Sequence, residues 1–149
     1  MWGRIFIVMR EGMIAEILEL RDVLGQKSRL AERERGLCAP VLCDQGLIPR
    51  IYGWFCELRG GGEEVYCRRQ FILIVLFLYA PAVLAGGRMP RGLRRSIAAA
   101  AGFTDVTFVS HNVDTVFFYY RHYEGFRKEV DGLYAAICAR LGPGSPVRL

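Results

Sequence analysis

A run of polar side chains follows Gly102 at helical spacing, and its residue types suit contacts with nucleic acid. A helix-turn-helix needs small residues where its helices cross, a turn residue that tolerates positive φ, and an apolar inner stripe. Residues 93–116, LRRSIAAAAGFTDVTFVSHNVDTV, meet each requirement and therefore predict this motif. The packing residues, turn and inner stripe are Ile97, Ala98 and Ala101, then Gly102, then Val109, Val113 and Val116.

The other side of the predicted second helix, together with the turn before it, is polar. Hydroxyl, carboxylate, imidazole and amide groups can meet base edges in a major groove or the flanking phosphates. We expect such contacts from Thr104, Asp105, Thr107, Ser110, His111 and Asn112.

Arginines are concentrated just before this stretch. From Val65 to Thr104 there is no acidic residue but there are six arginines, Arg68, Arg69, Arg88, Arg91, Arg94 and Arg95. An unopposed cationic surface attracts a polyanion through phosphate contacts and counterion release. We predict that nucleic acid is contacted by Arg69, Arg88, Arg91, Arg94 and Arg95. The alternative is a solvated basic face without a ligand.

Residues Arg68 to Leu141 resemble a known family, the C-terminal DNA-binding domain of the bacterial replication initiator DnaA, a helix-turn-helix of the Trp-repressor-like class. Arg69-Gln70 match the pair that opens the family's apolar helix, and Ile97-Ala98 with Gly102 occupy its packing and turn positions. The matches in its recognition signature are Asp105, Thr107, Val109 and His111. The resemblance implies a double-stranded DNA partner.

Three positions depart from the family signature. Thr104 stands where the family has Arg, Val106 where it has His, and Phe108 where it has a second Thr. These positions help to read the initiator's own site, so the resemblance implies the motif class and leaves the target sequence open. The chain also contains no P-loop, so it is not a complete initiator.

The remaining composition offers little for catalysis. The chain has 149 residues, a net charge of +5 and five cysteines without a C-x-x-C pair, which we interpret as buried thiols rather than a metal site. His111 and His122 have no Cys, Ser or carboxylate at a spacing that builds a site, and no Lys-Ser or Lys-Thr follows Gly60–Gly62. We expect no enzyme, cofactor, metal or small-molecule substrate.

These residues need helices to position them. Apolar periodicity predicts an amphipathic helix over residues 10–35, broken or bent at Gly25, and further helices over 47–58, 63–79, 91–101, 105–123 and 124–141. The predicted fold is all-α, an orthogonal helical bundle with a helix-turn-helix and an additional N-terminal amphipathic helix. Its parts are an N-terminal segment 1–60 that packs on or extends the main domain, the domain 63–141, and a flexible tail 142–149.

One apolar run, Phe71 to Ala85, has a composition that would suit a membrane. A bilayer span needs about 20 apolar residues, whereas this run has fifteen and Pro81 interrupts it, so we predict a buried core helix. The apolar start Ile5–Met9 is too short for a signal peptide, and we expect a cytoplasmic protein.

A second function remains open at this point. The helix of residues 10–35 and the aromatic stripe 117–123 would also suit a helical module that binds another protein or itself, without nucleic acid. A homodimer is compatible with both functions, since many helix-turn-helix proteins bind paired half-sites.

Overall fold

The computed structural model describes the backbone of residues 2–142 and the side chains of residues 12–142. This part of the chain is all helical and contains no strand, which confirms the predicted all-α class. Its elements are α1 (Trp2–Cys38), a 3-10 helix (Gln45–Leu47), α2 (Ile48–Arg59), α3 (Glu64–Tyr79), α4 (Pro81–Leu84), α5 (Leu93–Ala101), α6 (Thr107–His122) and α7 (Glu124–Leu141). Apart from Gly142, the predicted flexible tail 142–149 lies outside the described residues.

The chain divides into two units, Met1–Leu37 and Cys38–Leu149. The sequence placed a division near residue 60, but residues 38–60 belong to the second unit. The reason is α2, whose Ile48, Ile51 and Phe55 are buried in the hydrophobic core of that unit. The segment predicted over residues 1–60 is thus divided between the two units at residue 38.

Helix α3 is the centre of the second unit. Its residues from Gln70 to Leu76 are at most 1% exposed, because neighbours on α2, α5, α6 and α7 cover them from all sides. A helix that is apolar all round is expected in such a position. The prediction of a buried core helix is confirmed, and Pro81 separates it from α4 at Ala80. None of the described helices is both long and apolar enough to cross a bilayer.

Helix α1 is a single helix of 37 residues. Gly25 does not end it, although glycine is a poor helix former. From Met13 to Leu37 the large apolar side chains of α1 are each more than half exposed.

The five cysteines form no disulfide in the described part of the chain. The prediction that they are buried is wrong for Cys43 and Cys56, which are exposed, whereas the other three are half-buried. Cys43 lies in the loop before the 3-10 helix, and Cys56 faces away from the side of α2 that carries Ile48, Ile51 and Phe55.

Candidate nucleic-acid interface

The turn between α5 and α6 is built around Gly102. This residue has φ 72° and ψ 29°, the left-handed conformation that glycine adopts most readily. The next residue, Phe103, donates its backbone N–H to the Ala98 carbonyl at 2.8 Å, which closes the end of α5. Ile97 and Ala98 are buried beneath the turn. The turn and packing positions therefore lie where the sequence predicted them.

The start of α6 is held by a contact between two predicted site residues. The Asp105 carboxylate accepts hydrogen bonds from the Thr107 hydroxyl at 2.6 Å and from the Thr107 backbone N–H at 2.9 Å. These two bonds lower the pKa of Asp105, although the group is exposed. Both side chains lie on the surface, but their polar groups already stabilise the first turn of the helix.

The inner face of α6 agrees with the sequence in its apolar residues. Val109 and Val116 are fully buried and Val113 is half-buried. The prediction that Asn112 faces outward is wrong, since this residue is only 8% exposed. It lies three positions after Val109 and four before Val116, and that spacing places it on the buried face.

Arg69 is the partner of this buried asparagine, and its side chain is half-buried. Its Nε donates to Asn112 Oδ1 at 3.1 Å, and its Nη1 donates to the Tyr119 hydroxyl at 2.9 Å. The guanidinium also lies 5.0 Å from the centre of the Tyr119 ring. Arg69 and Asn112 therefore join α3 to α6, and the polar groups that form these bonds are engaged within the protein.

Four of the predicted arginines do lie on the surface: Arg88, Arg91, Arg94 and Arg95. Arg94 Nη1 donates to the Ser110 hydroxyl at 2.9 Å, so it connects α5 to the middle of α6. Arg88 and Arg94 line one open groove of about 470 Å³ together with Ser110, Val113 and Asp114. The structure therefore brings together cations from the loop before α5 and from α5 itself beside the polar side of α6.

The charge of these four arginines is not neutralised by ion pairs. Among residues 12–142, the acids that form ion pairs do so with other cations: Arg59–Glu129, Arg68–Glu64, Lys128–Glu124 and Arg140–Glu57. Arg68, the sixth arginine of the basic stretch, is thus paired with an acid, and it also lies 5.0 Å from the centre of the Phe103 ring. Of the six arginines in the basic stretch, the four that are exposed and form no ion pair therefore lie in α5 or just before it.

The outward side of α6 and its approach carry fewer free polar groups than predicted. Thr104 and His111 are exposed, and Ser110 is half-buried against Arg94. Asp114, which is not among the predicted site residues, is exposed one helical turn after Ser110 and places a negative charge in the same groove. The interval of four positions between Ser110 and Asp114 could have indicated this, because it places both residues on the same side of the helix.

Gln45 also contacts the candidate interface, although it is not among the predicted site residues. Its Oε1 accepts from the Ser96 hydroxyl at 2.8 Å, and its Nε2 donates to the Arg91 carbonyl at 3.2 Å. These bonds tie the start of α5 to the 3-10 helix. No local signal reveals this contact, because about 50 residues separate the partners in sequence.

The described residues contain no group of three or more His, Cys, Asp or Glu side chains that could hold a metal ion. Comparisons with family models, with curated proteins and with solved structures give no match for this chain. The function is therefore inferred from the residues and their geometry.

Proposed function

We propose that this protein binds double-stranded DNA in the cytoplasm, with α5, the Gly102 turn and α6 acting as a helix-turn-helix. The observation that carries the proposal is the group of four exposed arginines without an ion-pair partner in and just before α5, two of which, Arg88 and Arg94, line a groove with α6. The DnaA-like pattern of the sequence supports the same motif class. A small transcriptional regulator or a replication accessory factor would fit this role, and neither needs catalysis.

The arginines are spaced to contact phosphates. Arg91 lies in the turn just before α5, and Arg94 and Arg95 lie in the first turn of that helix, so five residues of sequence hold three exposed guanidinium groups. Guanidinium groups bind phosphate oxygens through two parallel N–H donors and stay charged at every physiological pH. Contacts of this kind fix the orientation of a protein on the duplex without reading its sequence.

Base contacts would come from the exposed polar residues of the α6 region. His111 and Thr104 have free polar groups at the surface, whereas Ser110 and Thr107 would contact DNA only by exchanging their present hydrogen bonds. The set that reads the groove is therefore smaller than the sequence suggested. Modest discrimination among sequences follows, because few bidentate pairs are available.

The test is fluorescence anisotropy with a pool of labelled random duplexes at several salt concentrations. We expect affinity to fall with salt, and the double variant Arg94→Ala/Arg95→Ala to bind more weakly with a log–log salt slope reduced by about 2, since each phosphate contact contributes about 0.9. The control Arg50→Ala/Arg127→Ala removes the same charge from exposed positions on α2 and α7. It should keep the wild-type slope.

Two results would contradict DNA binding. One is the absence of salt-sensitive binding to any duplex in the pool. The other is equal loss of affinity in both double variants, which would show a diffuse charge effect rather than an interface on α5.

A protein-interaction module is the second candidate, and exposed aromatic residues favour it. Phe117, Phe118 and Tyr123 are between 38% and 53% exposed at the end of α6, whereas the intervening Tyr119 and Tyr120 pack towards the core. Exposed aromatic residues are enriched at protein interfaces. A stable oligomer without affinity for nucleic acid, measured by light scattering and anisotropy on one sample, would favour this candidate over DNA binding.

A further inference from the structure

Helix α1 presents an apolar surface that nothing in its own unit can cover, since the unit consists of this helix alone. More than half exposed are Met13, Ile14, Ile17, Leu18, Leu20, Val23, Leu24, Leu30 and Leu37. Isolated helices are marginally stable in water, and most helices gain their stability from packing of an apolar face. An apolar surface along a helix of this length therefore indicates an interface.

The apolar residues follow the spacing of a coiled coil. Met13, Ile17, Leu20 and Leu24 recur at intervals of four, three and four, which places them on one face. Val23, Leu30 and Leu37 form a second line at intervals of seven. A surface of this kind fits another helix that lies along it.

Between residues 12 and 38 of α1, the charges are divided between the two halves of this stretch. Residues 12–24 carry three acids, Glu16, Glu19 and Asp22, against Arg21, which is a net charge of −2. Residues 25–38 carry four cations, Lys27, Arg29, Arg33 and Arg35, against Glu32 and Glu34, which is a net charge of +2. The surface is therefore complementary to itself in one orientation only.

We propose that two copies of this chain pair through α1 in an antiparallel arrangement. A parallel pair would place acidic half on acidic half and basic half on basic half. The antiparallel pair joins unlike halves at both ends and has the two-fold symmetry of most homodimers. Flanking charges of this type commonly set partner and orientation in coiled coils.

Gly25 lies at the boundary between the two halves, at the centre of the stretch 12–38 that the proposed pair joins. A Cβ at this position would meet only the Arg29 guanidinium of its own chain, at 4.0 Å. Glycine at the midpoint lets the two backbones approach closely where they cross. The dimer would also carry two copies of α5 and α6, although the pairing itself does not depend on DNA binding.

The orientation is tested with a photo-crosslinker in the full-length chain. Benzoylphenylalanine replaces Met13, chains with light and heavy nitrogen are mixed, and crosslinked peptides are identified by mass spectrometry. Antiparallel pairing predicts light–heavy crosslinks from position 13 to the region around position 36 of the second copy. Crosslinks to the region around position 13 would overturn the proposal, as would a monomer at all concentrations in light scattering.

Charge reversal tests the physical cause. The variants Glu16→Lys/Glu19→Lys and Lys27→Glu/Arg29→Glu make both halves of α1 alike in sign, so each alone should dimerise about tenfold or more weakly than the wild type. An equal mixture of the two should restore dimers. Unchanged dimerisation of each variant alone, or no recovery on mixing, would contradict the proposal. The variants of Arg94 and Arg95 leave α1 intact, so failure of DNA binding and failure of pairing are separate results.

Discussion

The Arg69 guanidinium connects two helices through polar contacts inside the protein. It donates to Asn112 and Tyr119, and Asn112 in turn donates from Nδ2 to the Phe108 carbonyl at 2.8 Å. A partly buried cation is stable only when its donors are satisfied. Asn112 therefore helps to hold α6 against α3, together with Tyr119.

Replacement of Asn112 by Ala tests this contribution. We expect a loss of about 1–3 kcal/mol in the free energy of unfolding, because Arg69 would lose an acceptor in a partly buried site. Urea denaturation measures the change. The neighbouring His111→Ala is the control and should stay within about 0.5 kcal/mol of the wild type, since His111 is exposed. Weaker DNA binding without a loss of stability would instead indicate direct contact of Asn112 with a base.

Tyr79 makes the free energy of unfolding depend on pH in the alkaline range. Burial, followed by the nearby Asp44 and Cys43, raises the pKa of Tyr79 to about 12, and its hydroxyl donates to the Asp44 carbonyl at 2.6 Å. The unfolded chain ionises near the ordinary value of 10, so the stabilisation is complete below pH 10 and is lost as pH rises to about 12.

The pH dependence is measured by urea denaturation across this range. The pKa values of Tyr120 and Tyr134 are also raised to about 12. The variant Tyr79→Phe should therefore lose less of its free energy of unfolding at alkaline pH than the wild type, but should still lose some. Tyr123→Phe, at a position that is 53% exposed, is the matched control and should retain the wild-type profile. An unchanged profile in Tyr79→Phe would show that the buried phenol is not responsible.

Replacement by alanine should change the free energy of unfolding in opposite directions at two glycines in different elements. Gly102 has φ 72°, where a side chain is strained, so Gly102→Ala should destabilise the protein by about 1–2 kcal/mol. Gly132 lies within α7 with open space around a new Cβ, so Gly132→Ala should stabilise it by about 0.5–1 kcal/mol. Urea midpoints of both variants test the pair, and a stabilising Gly102→Ala would refute the left-handed turn.

At the scale of the whole molecule, the core belongs to one unit. The buried apolar residues of the described chain run from Leu42 to Ile137, all within the second unit. We expect a variant that lacks residues 1–37 to fold with the thermal midpoint of the full chain, as followed by circular dichroism. An unfolded fragment would show that the core requires α1. The same fragment should be monomeric if pairing occurs through α1.

Features that depend on local patterns could be predicted from the sequence. A continuous apolar run predicted α3 as the core helix, apolar residues at helical spacing predicted α7 over residues 124–141, and Gly102 marked the turn because few other residues accept its φ. Local patterns of this kind act within a few residues, so they can be read without knowledge of the fold.

Which polar groups face solvent depends on contacts between distant elements of the fold. Asn112 and Arg69 turned inward because each offers the other a hydrogen bond across 43 positions of sequence, and Arg68 is paired with Glu64 beside Phe103. A polar side chain can be buried wherever a distant element supplies its partner, and no local pattern records that partner. The exposed arginines of the α5 region are what remains after those internal contacts are made.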